Sequence, residues 1–206
     1  GIVGIQNHGN TCFMNAVIQC LSNTEPLLSY FLCEQYKEDI KRANKYNAKR
    51  FGTKGELTES LAVLLKSLWM NQLVYTADKS TDFKAIVSKY GSQYRGNFQH
   101  DVQEFLIWLL DKVHEDLNIA TKKKYRANKQ QYISIYKNTH TTKQSSIGRC
   151  DDDVAAEAMA NHSRCNNSFI HDLFQAMYRS SLTCPSCSQQ SNTFDPFLSV
   201  SLPIPR

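Results

Sequence analysis

A chain of 206 residues can bury one core, or two small ones. Hydrophobic residues make up 41% and charged residues 21%, which excludes wholesale disorder, and no apolar run approaches the roughly 20 residues that a helix needs to cross a bilayer. The net charge of +5 comes largely from two Lys/Arg-rich stretches, 37–50 and 122–129; neither carries a nucleic-acid motif or regularly interleaved aromatics, so both are expected to be solvated and no nucleic-acid partner is expected.

The chain opens on GIVGIQNHGNTC, with no basic segment leading into an apolar one, so no secretory leader is expected. Its seven cysteines are odd in number and irregularly spaced. That pattern favours reduced thiols, and hence the cytoplasm or nucleus, over a disulfide framework.

Taken in order, Thr11 is placed to cap a helix beginning near Cys12, with Phe13, Val17, Cys20 and Leu21 at helical spacing. Thr24-Glu25-Pro26 reads as a stop followed by a new start, because proline is tolerated in a first helical turn. Leu27, Leu28, Phe31 and Leu32 then form an apolar face. Residues 55–71 carry a stripe of Leu57, Leu61, Leu64, Leu65 and Leu68. Asp82 is placed to cap a shorter helix bearing Phe83, Ile86, Val87 and Tyr90, with Gly91 as its stop. From 101 to 117 the stripe Phe105, Leu106, Leu109, Leu110, Val113, Leu117 is helical, so the first 118 residues are expected to be mostly helix. Residues 121–167 are polar and expected to form a long insertion or loop. Strands are expected at 177–183 and 194–202, flanking the turn Cys184-Pro-Ser-Cys187.

A cysteine at a helix N-terminus meets the positive end of the helix dipole and backbone N–H groups, which favour a nucleophilic thiolate. Gly9 lets the backbone turn and approach a substrate, and the Asn7 amide can donate to a developing oxyanion. The same residues are compatible with a buried structural cysteine behind an ordinary turn. Asp101 and Glu104 share one helix face in a first turn, where carboxylates also satisfy the dipole. Cys184 and Cys187 have zinc-knuckle spacing; the turn and strand that follow exclude a thioredoxin-like motif, which would place a helix there. Cys20 and Cys33 are expected to be core cysteines.

Three segments resemble the ubiquitin-specific proteases, a family of papain-like cysteine peptidases built as thumb, palm and fingers. GIQNHGNTCFMNAVIQCLSNT at 4–24 is similar to the family's cysteine box, QHDVQEFL at 99–106 to the motif lining the channel for ubiquitin's C-terminal tail, and residues 169–205 to the first finger segment. The resemblance does not extend to 121–167. It implies an α+β fold with a helical thumb region over 1–118, a polar insertion over 119–167 and a finger segment over 168–206. It implies Cys12 as the nucleophile, Asn7 as an oxyanion donor, Asp101 and Glu104 as partners for arginines of the ubiquitin tail, and Gln103 as a donor to the tail's backbone. Cys184 and Cys187 would be two of four ligands of a structural zinc, with Cys150 and Cys165 as conceivable substitutes for the missing pair.

The family's general base is a histidine in a later block, followed by an orienting Asp or Asn. The six histidines here, at 8, 100, 114, 140, 162 and 171, do not occupy that block. His114 is expected to be half-exposed on the core helix. The sequence is thus expected to be the N-terminal half of a deubiquitinase catalytic domain, ending before the palm is complete. The alternative is a non-catalytic ubiquitin-binding or scaffold protein derived from the same fold.

Overall fold

A computed structural model describes residues 3–69, 73–120, 149–200 and 202–203, with backbone only at 73–78. The chain divides into two compact units: Gly1–Ile119 with Ser168–Leu173, and Ala120–Asn167 with Phe174–Arg206. No helix among the described residues is long and apolar enough to cross a membrane.

The first unit is helical, and its elements are α1 (Cys12–Ser22), α2 (Glu25–Leu32), α3 (Gln35–Arg42), α4 (Lys45–Arg50), α5 (Glu56–Trp69), α6 (Leu73–Tyr90), a 3₁₀ turn (Ser92–Tyr94) and α7 (Val102–Leu117). Pro26 stands in the first turn of α2, where the missing N–H costs nothing. The leucine stripe of α5 supplies the centre: Leu57, Leu61, Leu64, Leu65 and Leu68 are all buried, and α5 packs against α6, α7 and α1, whose Phe83, Val87, Phe105, Leu109, Val113 and Ile18 are buried too. Each such side chain contributes about 1.5–3 kcal/mol by leaving water, which no short amphipathic helix could recover alone.

Two local expectations change. Asp82 is not a cap. With no Gly or Pro between 73 and 90, α6 runs on upstream, and Asp82 pairs with Lys79 one turn earlier at 3.0 Å. Gly91 ends the helix as expected, with φ −111°. It is glycine because a Cβ there would lie 2.7 Å from Tyr94 and 2.9 Å from Trp108. Cys20 and Cys33 are exposed rather than core. The buried face of α1 runs through Met14, Val17, Ile18 and Leu21, with Cys20 on the opposite flank, and Cys33 lies just past the end of α2.

The C-terminal end of α7 is buried on all sides, from Val113 to Asn118. His114, expected half-exposed, is 1% exposed: its ring stacks on His171 at 3.6 Å and Nδ1 lies 2.7 Å from Ser168 Oγ. The Asp116 carboxylate accepts from Thr53 N and Thr53 Oγ1, both at 2.5 Å, and from Thr58 Oγ1 at 2.9 Å. Thr53 Oγ1 also accepts from Leu57 N at 2.9 Å, so one carboxylate ties the start of α5 to the end of α7.

In the second unit α8 (Asp151–Ser163) occupies part of the polar stretch expected to be loop, whose residues 121–148 lie outside the described residues. Hydrophobic periodicity could not reveal α8, because none of its residues is buried. Its first turn carries Asp151, Asp152 and Asp153, which suit the helix dipole. A short α9 (Phe169–Phe174) leads into an antiparallel hairpin of β1 (Ala176–Thr183) and β2 (Gln190–Phe197), paired from Ala176↔Phe197 to Thr183↔Gln190. β2 starts four residues before the expected 194 and ends at 197, with Pro196 tolerated because this strand has one neighbour. Asp151 binds Arg179 of β1 at 2.8 Å and accepts from Asn192 of β2 at 2.7 Å.

Asp116→Ala leaves two hydroxyls and one amide without their buried acceptor, at about 1–3 kcal/mol for each group that finds no other partner. Urea unfolding is expected to show a loss of about 2–4 kcal/mol, against about 0.5 kcal/mol or less for the exposed control Asp152→Ala. Equal stability of the two variants would remove Asp116 from its place as the clasp between α5 and α7.

Candidate active site

The loop before α1 is shaped by two consecutive left-handed residues, Gly9 (φ +87°) and Asn10 (φ +53°). Glycine and asparagine are the residues that tolerate this region at least cost. Asn7 Oδ1 gathers the loop by accepting from Gly9 N, Thr11 N and Thr11 Oγ1, each at 3.1 Å. With its oxygen so occupied, Asn7 keeps its Nδ2 amide as the donor it can offer elsewhere. Thr11 stands at the N-cap position but does not cap: its hydroxyl accepts from His8 N at 3.1 Å and donates to Asn7, so it braces the loop instead.

Cys12 is the first residue of α1, and its thiol is exposed. The first N–H groups of any helix lack intrahelical acceptors, so a charge developing at this end meets unpaired donors and the positive end of the dipole. The thiol donates to Gln99 Oε1 at 3.2 Å, and Gln99 Nε2 donates to Asn10 Oδ1 at 3.3 Å. Gln99 stands at the start of the second motif, yet spacing alone gave no reason to single it out; only the approach of residues 97–101 to the cysteine loop places it on the thiol.

That approach is set by aromatic packing. Phe13, next to Cys12, meets Phe105 of α7 edge-on at 5.3 Å and His100 at 5.1 Å, and Tyr94 closes the group at 5.2 Å from Phe105 and 5.0 Å from His100. Phe105, the first residue of the expected helical stripe, is fully buried.

Asp101 has extended backbone and caps α7, its Oδ1 accepting from Glu104 N at 2.9 Å. Glu104 and Gln103 are exposed on the same first turn, and Phe98 just before it is 73% exposed. Two carboxylates and a large apolar side chain therefore lie beside the segment that reaches Cys12.

No described histidine hydrogen-bonds to Cys12. His8 Nε2 lies 2.7 Å from Ser80 Oγ, His100 packs on Phe13 and Tyr94, His114 and His171 stack on each other, and His162 of α8 meets Gln175 at 3.1 Å. His140 lies outside the described residues.

Cys184 and Cys187 are exposed on the loop of the β1–β2 hairpin. Ser188 N donates to the Cys184 carbonyl at 2.9 Å, with Ser188 left-handed at φ +53°. Backbone N–H groups of Cys187 and Ser186 aim at the Cys184 sulfur and lower its pKa, because they favour the thiolate. Two thiols on such a turn fit half of a tetrahedral zinc site. Among the described residues no cluster of three metal-ligating side chains forms; Cys150 precedes α8 and Cys165 follows it.

The sequence matches the model of the family "Ubiquitin carboxyl-terminal hydrolase" over residues 3–200. It is 47% identical over 212 residues to human ubiquitin carboxyl-terminal hydrolase 31, with all of this chain and 14% of that protein covered. It is 44% identical over 214 residues to human ubiquitin carboxyl-terminal hydrolase 43, covering 100% of the chain and 16% of the relative. It is 41% identical over 205 residues to ubiquitin carboxyl-terminal hydrolase 15 of Xenopus tropicalis, covering 100% and 19%. The chain thus spans less than a fifth of the length of these curated relatives. In fold it is similar to a chain in the SAGA Ubp8/Sgf11/Sus1/Sgf73 DUB module bound to ubiquitin aldehyde, with a TM-score of 0.56 and 20% identity over 96% of this chain and 34% of that one. A second structure of that module, bound to monoubiquitin, gives a TM-score of 0.57 at 18% identity and the same coverage. A helical unit with a cysteine at its leading helix, a β-hairpin later in the chain and a family match across nearly every residue lead to one assignment: the chain belongs to the ubiquitin carboxyl-terminal hydrolase family.

Proposed function

We propose that the protein is a thiol-dependent deubiquitinase whose nucleophile is Cys12. The observation that carries this is the placement of one exposed thiol on the first residue of α1, behind a loop drawn tight by Asn7. The Cys12 sulfur attacks the carbonyl carbon of ubiquitin's C-terminal glycine, forming a C–S bond and a tetrahedral oxyanion. Asn7 Nδ2 and the backbone N–H of Cys12 receive that oxyanion. Its collapse breaks the C–N bond, the amine leaves after taking up a proton, and water hydrolyses the thioester. A general base must carry the proton; among the described residues no histidine bonds to Cys12, and the chain spans only 14–19% of its curated relatives.

Ubiquitin is the proposed partner, held through its tail. Asp101 and Glu104 would pair with tail arginines, and Gln103 would bond the tail's backbone; their exposure beside the 97–101 segment supports this. Asp101 then has two roles, since it also caps α7. Cys184 and Cys187 would hold two of the four positions of a structural zinc, which would fix the tip of the β1–β2 hairpin.

The deciding experiment treats the full-length protein with a ubiquitin probe bearing a C-terminal electrophile. Peptide mapping is expected to find the adduct on Cys12, and labelling that persists in Cys12→Ala would overturn the assignment. Asn7→Ala is expected to lower kcat by roughly a hundredfold to a thousandfold with little change in KM, because its contact forms mainly with the oxyanion.

For tail recognition, Asp101→Asn and Glu104→Gln are expected each to weaken ubiquitin binding by roughly tenfold or more, with a flatter dependence on salt. Asn at 101 retains a capping acceptor, so helix content should hold. Unchanged affinity with lowered thermal stability would leave the two carboxylates with a capping role alone.

For the metal, the full-length protein is expected to carry zinc that is lost in the double variant Cys184→Ser, Cys187→Ser. Zinc content unchanged by that substitution would remove this pair from the site.

A further inference from the structure

One face of α6 reaches into the cysteine loop. Ser80 Oγ lies 2.7 Å from His8 Nε2, and one turn later Lys84 donates from Nζ to the His8 carbonyl at 2.9 Å and to Asn97 Oδ1 at 2.8 Å. Residues four apart share a helix face, so both contacts come from one side of α6.

Lys84 touches both halves of the site. His8 belongs to the loop that carries Asn7 and Cys12; Asn97 belongs to the segment that carries Gln99. The link continues on both sides. A Cβ on Gly9 would meet Asn97 Cγ at 3.2 Å, so the loop backbone lies directly on that side chain. The Asn97 carbonyl accepts from Asn10 Nδ2 at 2.8 Å, Asn10 Oδ1 accepts from Gln99 Nε2 at 3.3 Å, and Gln99 Oε1 accepts the Cys12 thiol at 3.2 Å. Hydrogen bonds thus connect the ammonium of Lys84 to the thiol without a break.

Lys84 is an unusual choice for a surface ion pair, and it makes none: no carboxylate lies within ion-pair distance of it among the described residues. Its charge is directed at two neutral oxygens, both of which hold a loop in place. Fixing a lysine costs more side-chain entropy than fixing almost any other residue. That expenditure is understandable where the two loops it joins must keep a relative position to within a fraction of an ångström.

We propose that Lys84 is a positioning residue for the Cys12 reaction. It locks the oxyanion-binding loop to the Gln99 segment, so that the Asn7 donor and the sulfur keep their mutual geometry during attack. Lys84 does not touch substrate; it acts through the His8 carbonyl and Asn97. The inference rests on Cys12 as the nucleophile. It has a particular signature. The thiol donates to Gln99 at rest, so releasing that segment frees the thiol towards a small reagent while it misplaces the donors that catalysis needs.

The test compares Lys84→Met, Lys84→Arg and Lys89→Met in the full-length protein. Lys89 lies on the same helix, where it pairs with Glu56 at 2.5 Å, away from the network. Two readouts are used: hydrolysis of a fluorogenic ubiquitin C-terminal amide, and alkylation of individual cysteines by iodoacetamide. Lys84→Met is expected to lower kcat by roughly tenfold to a hundredfold with KM within about twofold. Alkylation of Cys12 is expected to rise severalfold, while Cys20 and Cys33 react as before and Tm stays within about 2 °C of wild type. Lys84→Arg, which keeps donors for both oxygens, should recover much of the rate, and Lys89→Met should match wild type. A kcat in Lys84→Met within about threefold of wild type would overturn the proposal. So would a lost rate accompanied by a matching fall in Tm, since that is general destabilisation. A wild-type protein without Cys12-dependent hydrolysis would sink the functional assignment instead; the alkylation rates would still decide Lys84, with equal Cys12 rates in wild type and Lys84→Met counting against it.

Discussion

The candidate site depends on the contact between Phe13 and Phe105. Phe13 follows Cys12 on α1, and Phe105 lies in the first turns of α7, so their edge-on packing at 5.3 Å fixes the leading ends of two helices against each other. Tyr94 and His100 complete the group, and Trp108 meets Tyr94 at 5.0 Å. Each aromatic pair adds about 0.5–1.5 kcal/mol beyond the area it buries, so together they can hold a loop that has few contacts of its own. Everything exposed at the site, from Asn7 to Glu104, sits within a few residues of this cluster.

Above the cluster, precision comes from polar groups that work inside the loops. Asn7 Oδ1 takes three donors and Thr11 Oγ1 takes one, so the turn that presents Cys12 is braced by side chains rather than by a helix cap. The left-handed backbone at Gly9 and Asn10 turns the chain back over Asn97. The arrangement is open to solvent, with the Cys12 thiol exposed.

Elsewhere in the helical unit, buried polar contacts join the elements. Asp116 holds α5 to α7, and the stacked rings of His114 and His171 bring the segment before the hairpin against the same helix. α7 thus has two ends with different work. Its N-terminal turn is exposed and acidic, while its last turn is buried, with Asp116 held by Thr53 and Thr58.

The sequence by itself determined the helical character of the first 118 residues, the leucine core of α5, the buried stripe of α7, the hairpin around Cys184 and Cys187, and the family. These follow from periodicity, punctuation by Gly and Pro, and short motifs, all of which are local. It did not reveal α8, none of whose residues is buried, or the full length of α6, or the burial of His114, because each depends on what a segment packs against or on the absence of a stop. Nor could it single out Gln99, Asn97 and Lys84. Lys84 and Cys12 are far apart in the chain, and no spacing rule joins them. Only the tertiary structure decided that α6, the 97–101 segment and the start of α1 converge, because that convergence is set by aromatic packing between residues such as Phe13 and Phe105 that lie more than ninety positions apart in the numbering.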